Sequence, residues 1–158
     1  MQLLNRAANF ITNINDLKSI YLTFVRSILE QSAVVWHSGL SNKNRKDLER
    51  VQKTGLKIIL GNRFTTYKNG LKMLNLDTLD ERRRKMCLKF AQNCLKNEKV
   101  KSMFPQKISK HKMQLRKTNK FEINKQRTKR YQQSAIPYMQ ELLNNYQNKR
   151  RKLIKEPD

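Results

Sequence analysis

FVRSILEQSAVVW, residues 24–36, decides the fold, because its apolar residues recur at helical intervals. Extended back to the candidate N-caps Asn15 and Asp16, the series becomes Leu17, Ile20, Tyr21, Phe24, Val25, Ile28, Leu29, Val35 and Trp36. It predicts one helix of about five turns, near 30 Å long at ~1.5 Å per residue. Arg26 and Glu30 stand four apart on its flank, where a surface ion pair contributes ~0.3–0.5 kcal/mol.

Working outward, the polar break HSGLSNKNRK precedes a second periodic segment with Leu48, Val51, Gly55, Leu56, Ile58 and Ile59. It ends at Gly61, where a glycine just past a helix belongs. Gly55 inside it costs about 1 kcal/mol relative to alanine, a cost tolerated where a neighbouring helix comes close. A short helix carrying Tyr67, Leu71 and Leu74 follows, and TLDE at 78–81 spells a capping box for a helix reaching about Asn97. About four helices over 14–97, joined by breaks rather than strands, predict an all-α small helical bundle. Beyond Pro105 the pattern weakens: alternation through Phe121 and Ile123 allows a strand or hairpin, and SAIPYMQELLNNY reads as a final helix starting near Pro137.

The 158 residues carry 35 Lys+Arg against 12 Asp+Glu, a formal charge of +23 that favours a polyanionic partner. Residues 1–104 hold 20 basic and 8 acidic residues, whereas 105–158 hold 15 and 4 on half the length. Apolar residues run the other way, 44 before the cut and 15 after it. The expected organisation is therefore a helical domain over 1–104 and a strongly basic, partly ordered extension over 105–158. Two cysteines make no disulfide framework, MQLLNRAANFITN does not resemble a signal peptide, and no apolar run approaches the ~20 residues of a membrane span. An intracellular protein, nuclear or cytoplasmic, is expected.

Candidate chemistry is sparse. Asp77 and Asp80 flank Thr78 at a helix N-terminus, where carboxylates complement the dipole. Cys87 and Cys94 lie ~10 Å apart along one helix, too far to share a zinc ion, and with His37 and His111 they form no metal-ligand spacing. Phosphate-cradling and nucleophile-elbow motifs are missing from a sequence with four glycines. No metal, no cofactor and no catalysis by this chain alone are expected. The positive signal is basic clusters: RRRK (Arg82, Arg83, Arg84, Lys85), KISKHKMQLRK at 107–117, KQRTKRY (with Lys125, Arg127, Lys129, Arg130, Tyr131) and KRRK (Lys149, Arg150, Arg151, Lys152). Such cations bind phosphates, and the interleaved Phe121 and Tyr131 could stack on bases. KRRK also reads as a nuclear-import signal or a basic helix end.

Three segments in order, FVRSILEQSAVVW, LERVQKTGLKIILG and YKNGLKMLNLDTLDERRRKMCLKFA, resemble the region downstream of the polymerase core in reverse transcriptases of jockey-like or LINE-like non-LTR retrotransposons. The resemblance covers roughly residues 1–105 and extends to IPYMQELLN. It rests on Arg26, Leu29, Glu30 and Trp36; Leu48, Glu49, Arg50, Gln52 and Ile59; and Tyr67, Leu71, Leu74, Leu79, Arg82, Arg83, Cys87 and Phe90. Gln31 stands where such elements commonly have an aromatic residue, and Gly55 where they commonly have alanine. Those enzymes hold two metal ions on palm aspartates, one pair in a Tyr-x-Asp-Asp turn, and this sequence has no adjacent Asp-Asp.

The resemblance thus implies a truncated reverse transcriptase, the helical thumb and C-terminal region without its palm, non-catalytic alone. It would bind RNA or DNA, an RNA–DNA hybrid included, through backbone phosphates. On that reading Leu17, Ile20, Phe24, Ile28, Leu29 and Trp36 form core, and the basic clusters face nucleic acid. Two alternatives stay open: a protein-interaction remnant docking on a reverse transcriptase core in trans, and a ribosomal-protein-like RNA binder.

Overall fold

The structure is a computed structural model that describes residues 1–106, 121–123 and 127–153, of which 150–153 are described by backbone alone. Among these residues the architecture is all-α, as the periodicity predicts. One isolated antiparallel bridge, Gln106 to Phe121, stands where alternation allowed a strand or hairpin.

Helix starts follow local chemistry. The first, α1 (Gln2–Ala8), has no long apolar series to announce it, yet it buries Leu4 completely. The next, α2 (Ile14–Ile20), is capped by Asn13, whose side chain accepts the Asn15 amide at 3.0 Å. The cap is thus two or three residues earlier than the sequence predicts. The chain then passes through a π-helical stretch, Tyr21–Arg26, into α3 (Ser27–Glu30). Ser32 at φ +52° ends the run, a conformation no continuing helix admits, and α4 (Ala33–Trp36) is a separate turn. The predicted unbroken helix to Trp36 is corrected accordingly.

The π-helical stretch also corrects the predicted core. Wider than an α-turn, it shifts the face on which every later residue falls relative to a 3.6-residue period. The inward positions become Leu17, Tyr21 and Glu30, while Phe24 and Ile28 are 56% and 71% exposed. Ile20, Leu29 and Trp36 are half-buried.

Ser41 caps α5 (Asn42–Leu60), accepting the Asn44 amide at 3.2 Å, and Gly61 ends it at φ +50°. Thr66 caps α6 (Tyr67–Met73), and Thr78 caps α7 (Leu79–Cys94) by accepting the Glu81 amide at 3.2 Å. Three elements follow: α8 (Glu98–Lys101), α9 (Lys129–Gln132) and α10 (Ala135–Leu153). Pro137 sits in the first turn of α10, where a missing amide is harmless.

Two compact units result, divided within α7 after Arg84. The first comprises Met1–Ala33 and Leu40–Arg84. Its core joins Leu4, Leu17, Tyr21, Leu56, Ile59, Leu60, Leu71 and Leu74. Gly55 lets α5 approach Tyr21: a Cβ there would lie 2.8 Å from the Tyr21 ring. The second unit comprises Val34–Gly39 and the described residues from Lys85 onward.

The second core joins Ala91, Phe104, Phe121, Met139 and Leu143, with Leu88, Cys94 and Leu95 against it. Packing therefore divides the chain differently from charge, which changes after Phe104. The stretch after Phe104 has too little apolar surface to close a core alone, and the last turns of α7 supply it. Buried amides of α10 fasten this unit. Asn144 accepts the Phe121 amide at 3.0 Å and donates to its carbonyl at 3.1 Å, and Gln140 donates to the Met103 carbonyl at 3.3 Å.

Candidate nucleic-acid interface

The first unit sorts its charges before it presents any. Arg82 Nε lies 2.6 Å from Glu30 Oε1 and 2.8 Å from Oε2, so the buried Glu30 pairs across the fold with Arg82. Arg26 keeps an electrostatic role there: burial and the neighbouring Arg82 push its pKa down, and Glu30 opposes them. Arg45 Nη1 donates to Asp80 Oδ1 at 2.7 Å, and the Asp80 amide donates to Glu49 Oε1 at 2.8 Å. Tyr67 donates its hydroxyl to the other Glu49 oxygen.

Arg83, fully buried, sits within reach of this cluster, its guanidinium pushed down by burial and held up by Glu49 and Asp80. Beside it, Tyr21 donates to Gln52 Oε1 at 3.4 Å, and Gln52 Nε2 donates to the Asp77 carbonyl at 2.9 Å. Four carboxylates, Glu30, Glu49, Asp77 and Asp80, thereby face four guanidiniums, Arg26, Arg45, Arg82 and Arg83. The cluster is balanced, and the excess of +23 falls on the rest of the chain.

This placement corrects half of the RRRK cluster as an interface. Arg82 and Arg83 turn inward because, at ~100° per residue, a four-residue run spreads around the whole helix, so two consecutive members meet the acidic cluster while the next two point away from it. Arg84 and Lys85 are exposed. Arg127, Lys129, Arg130 and Tyr131 are all exposed on the turn around α9, which Thr128 caps. Lys149 is exposed on α10. Phe121 is buried in the second core and is not available to stack on a base, whereas Tyr131 is. The run 107–117 with His111, Lys125, and the side chains of Arg150, Arg151 and Lys152 lie outside the described residues.

A basic surface the contiguous clusters do not reveal lies on α5. Lys43, Lys46, Arg50, Lys53 and Lys57 are all exposed and recur at steps of three and four. At ~100° per residue they fall within an arc of about 80°. The signal is in the sequence, but as a period among apolar residues rather than as a run.

No family model, curated protein or solved structure matches the chain.

Among the described residues, no group of three or more His, Cys, Asp or Glu is placed to hold a metal ion. Cys87 is buried and Cys94 half-buried on α7, and neither is in a disulfide. His37 is buried with Nε2 3.2 Å from the Tyr138 hydroxyl, the rings edge to face at 5.6 Å. No described helix is long and apolar enough to cross a membrane. What the exposed groups can do is make ionic contact with a polyanion, with Tyr131 added for stacking.

Proposed function

We propose that this chain is a non-catalytic C-terminal region of a non-LTR retrotransposon reverse transcriptase that binds RNA or DNA through backbone phosphates, inside the cell, in nucleus or cytoplasm. The observation that carries the reading is the sorting of charge. Acids and arginines pair within the cluster of the first unit, while Arg84, Arg127, Lys129, Arg130 and Lys149 are exposed. The ordered sequence resemblance supports the family, and the charge supports the partner.

The test is binding of the purified protein to a labelled RNA–DNA hybrid, single-stranded RNA and duplex DNA across a salt series. Neutralising about six phosphates gives a log–log slope near −5 on duplex. Weak binding to all three, or binding that ignores salt, would sink the reading.

A second reading has its own observation. Phe24 and Ile28, four residues apart, are 56% and 71% exposed, as a face that docks on a polymerase core in trans would be. Sedimentation of the protein alone and with such a core distinguishes the two. A complex that forms without nucleic acid and persists at high salt favours docking.

A further inference from the structure

We infer that the solvent face of α5 is a linear phosphate track, with Lys43, Lys46, Arg50, Lys53 and Lys57 each meeting the sugar-phosphate backbone of one nucleic-acid strand. The inference rests on the proposed nucleic-acid binding and assigns the contact to a surface outside the basic runs. Successive members are three or four residues apart, so the cations follow one another at ~4.5–6 Å along a line of ~21 Å. One strand of a duplex advances ~3.4 Å per phosphate along the duplex axis and also winds around it, so a straight ~21 Å track meets about three or four successive phosphates.

The helix is held for this task. Leu56, Ile59 and Leu60 anchor its opposite face in the first core, and Ser41 and Gly61 fix its ends. Its acids do not oppose the track equally. Glu49 is turned to Tyr67 and the Asp80 amide, while Asp47 lies 3.3 Å from Arg50 in a pair with side chains 47% and 77% exposed. Such an exposed pair contributes well under about 1 kcal/mol and yields to a phosphate. Lys57 Nζ stands 5.8 Å from the centroid of the Phe64 ring, which orients its ammonium without neutralising it.

A membrane surface fits this face less well than a nucleic acid. An interfacial helix inserts apolar residues on its bound side, whereas every exposed residue of α5 is polar and Leu56, Ile59 and Leu60 are committed to the core.

The experiment compares the full chain with K43Q/K46Q/K53Q and with a charge-matched control, K68Q/K72Q/K96Q, whose lysines are exposed elsewhere. Binding to a ~20-base-pair duplex is read across a salt series. Loss of three contacts lowers the magnitude of the log–log slope by about 2.7, and the control lowers it by less than about 1. The single variant K53Q, expected to lower it by about 0.9, serves if the triple variant unfolds. Equal slopes for the two triple variants, with the parent binding steeply, overturn the track and leave nucleic-acid binding standing. A parent that binds no nucleic acid overturns both. Tighter binding of the parent to phosphatidylserine vesicles than to duplex, lost in the stripe variant, assigns the face to a membrane instead.

Discussion

Glu30 shows how a residue's role turns on what it reaches. Four positions from Arg26 it reads as half of a surface pair, yet its carboxylate is buried and held by Arg82 at 2.6 and 2.8 Å. The difference matters energetically, because an exposed pair contributes tenths of a kcal/mol and a buried carboxylate left without its partner costs several times more. Arg82→Ala is therefore expected to destabilise the protein by about 1–3 kcal/mol, below the ~3–5 kcal/mol of a fully buried pair because Arg82 is half-exposed. Urea unfolding at pH 7 checks this. A loss below about 0.5 kcal/mol would mean that the pair behaves as an ordinary surface bridge.

Among elements, α5 and the π-helical stretch fit each other through one position. Tyr21 fills the space beside Gly55, where an added Cβ would come within 2.8 Å of its ring. Alanine is the better helix former by about 1 kcal/mol, but Tyr21 is fully buried and tied to Gln52, so its ring has little room to retreat. Overpacking of this kind costs typically ~1–3 kcal/mol. Gly55→Ala is thus expected to lower the melting temperature despite its helix propensity. A rise would show that the Tyr21 ring moves aside freely.

At the scale of the whole molecule, pH acts through two phenols of the first unit, the buried Tyr21 and the half-buried Tyr67. Burial raises the Tyr21 pKa well above its ordinary value, and burial together with the Glu49 hydrogen bond does the same for Tyr67. Below about pH 10 both are protonated whether the chain is folded or not, so neither makes stability depend on pH. Above it the unfolded chain loses protons that the folded chain keeps, so stability falls as pH rises toward the folded values. Each tyrosine contributes a slope of up to about 1.4 kcal/mol per pH unit in that range. Lysine deprotonation relieves self-repulsion over the same range, so the informative measurement is a difference. Urea midpoints of wild type and Tyr67→Phe between pH 8 and 11 are expected to show the shallower alkaline decline in the variant. Parallel declines would show that Tyr67 ionises as readily folded as unfolded.

The sequence by itself determined the helical class, the glycine end of α5 and the Thr78 cap. These depend on residues within a turn or two of one another, or on the period of apolar residues. It also carried the charge excess, which no fold can change. Tertiary structure decided which charges reach solvent. Arg83 and Arg84 are neighbours of the same type, and only the packing of α7 against Glu49 of α5 sends one inside and leaves the other out.

The same holds for Phe24, Ile28 and Phe121. A π-helical stretch rotates the first two outward, and a buried asparagine on α10, indistinguishable in sequence from a surface one, draws the third in. Long-range partners set desolvation, and desolvation is what separates a structural arginine from one that can meet a phosphate.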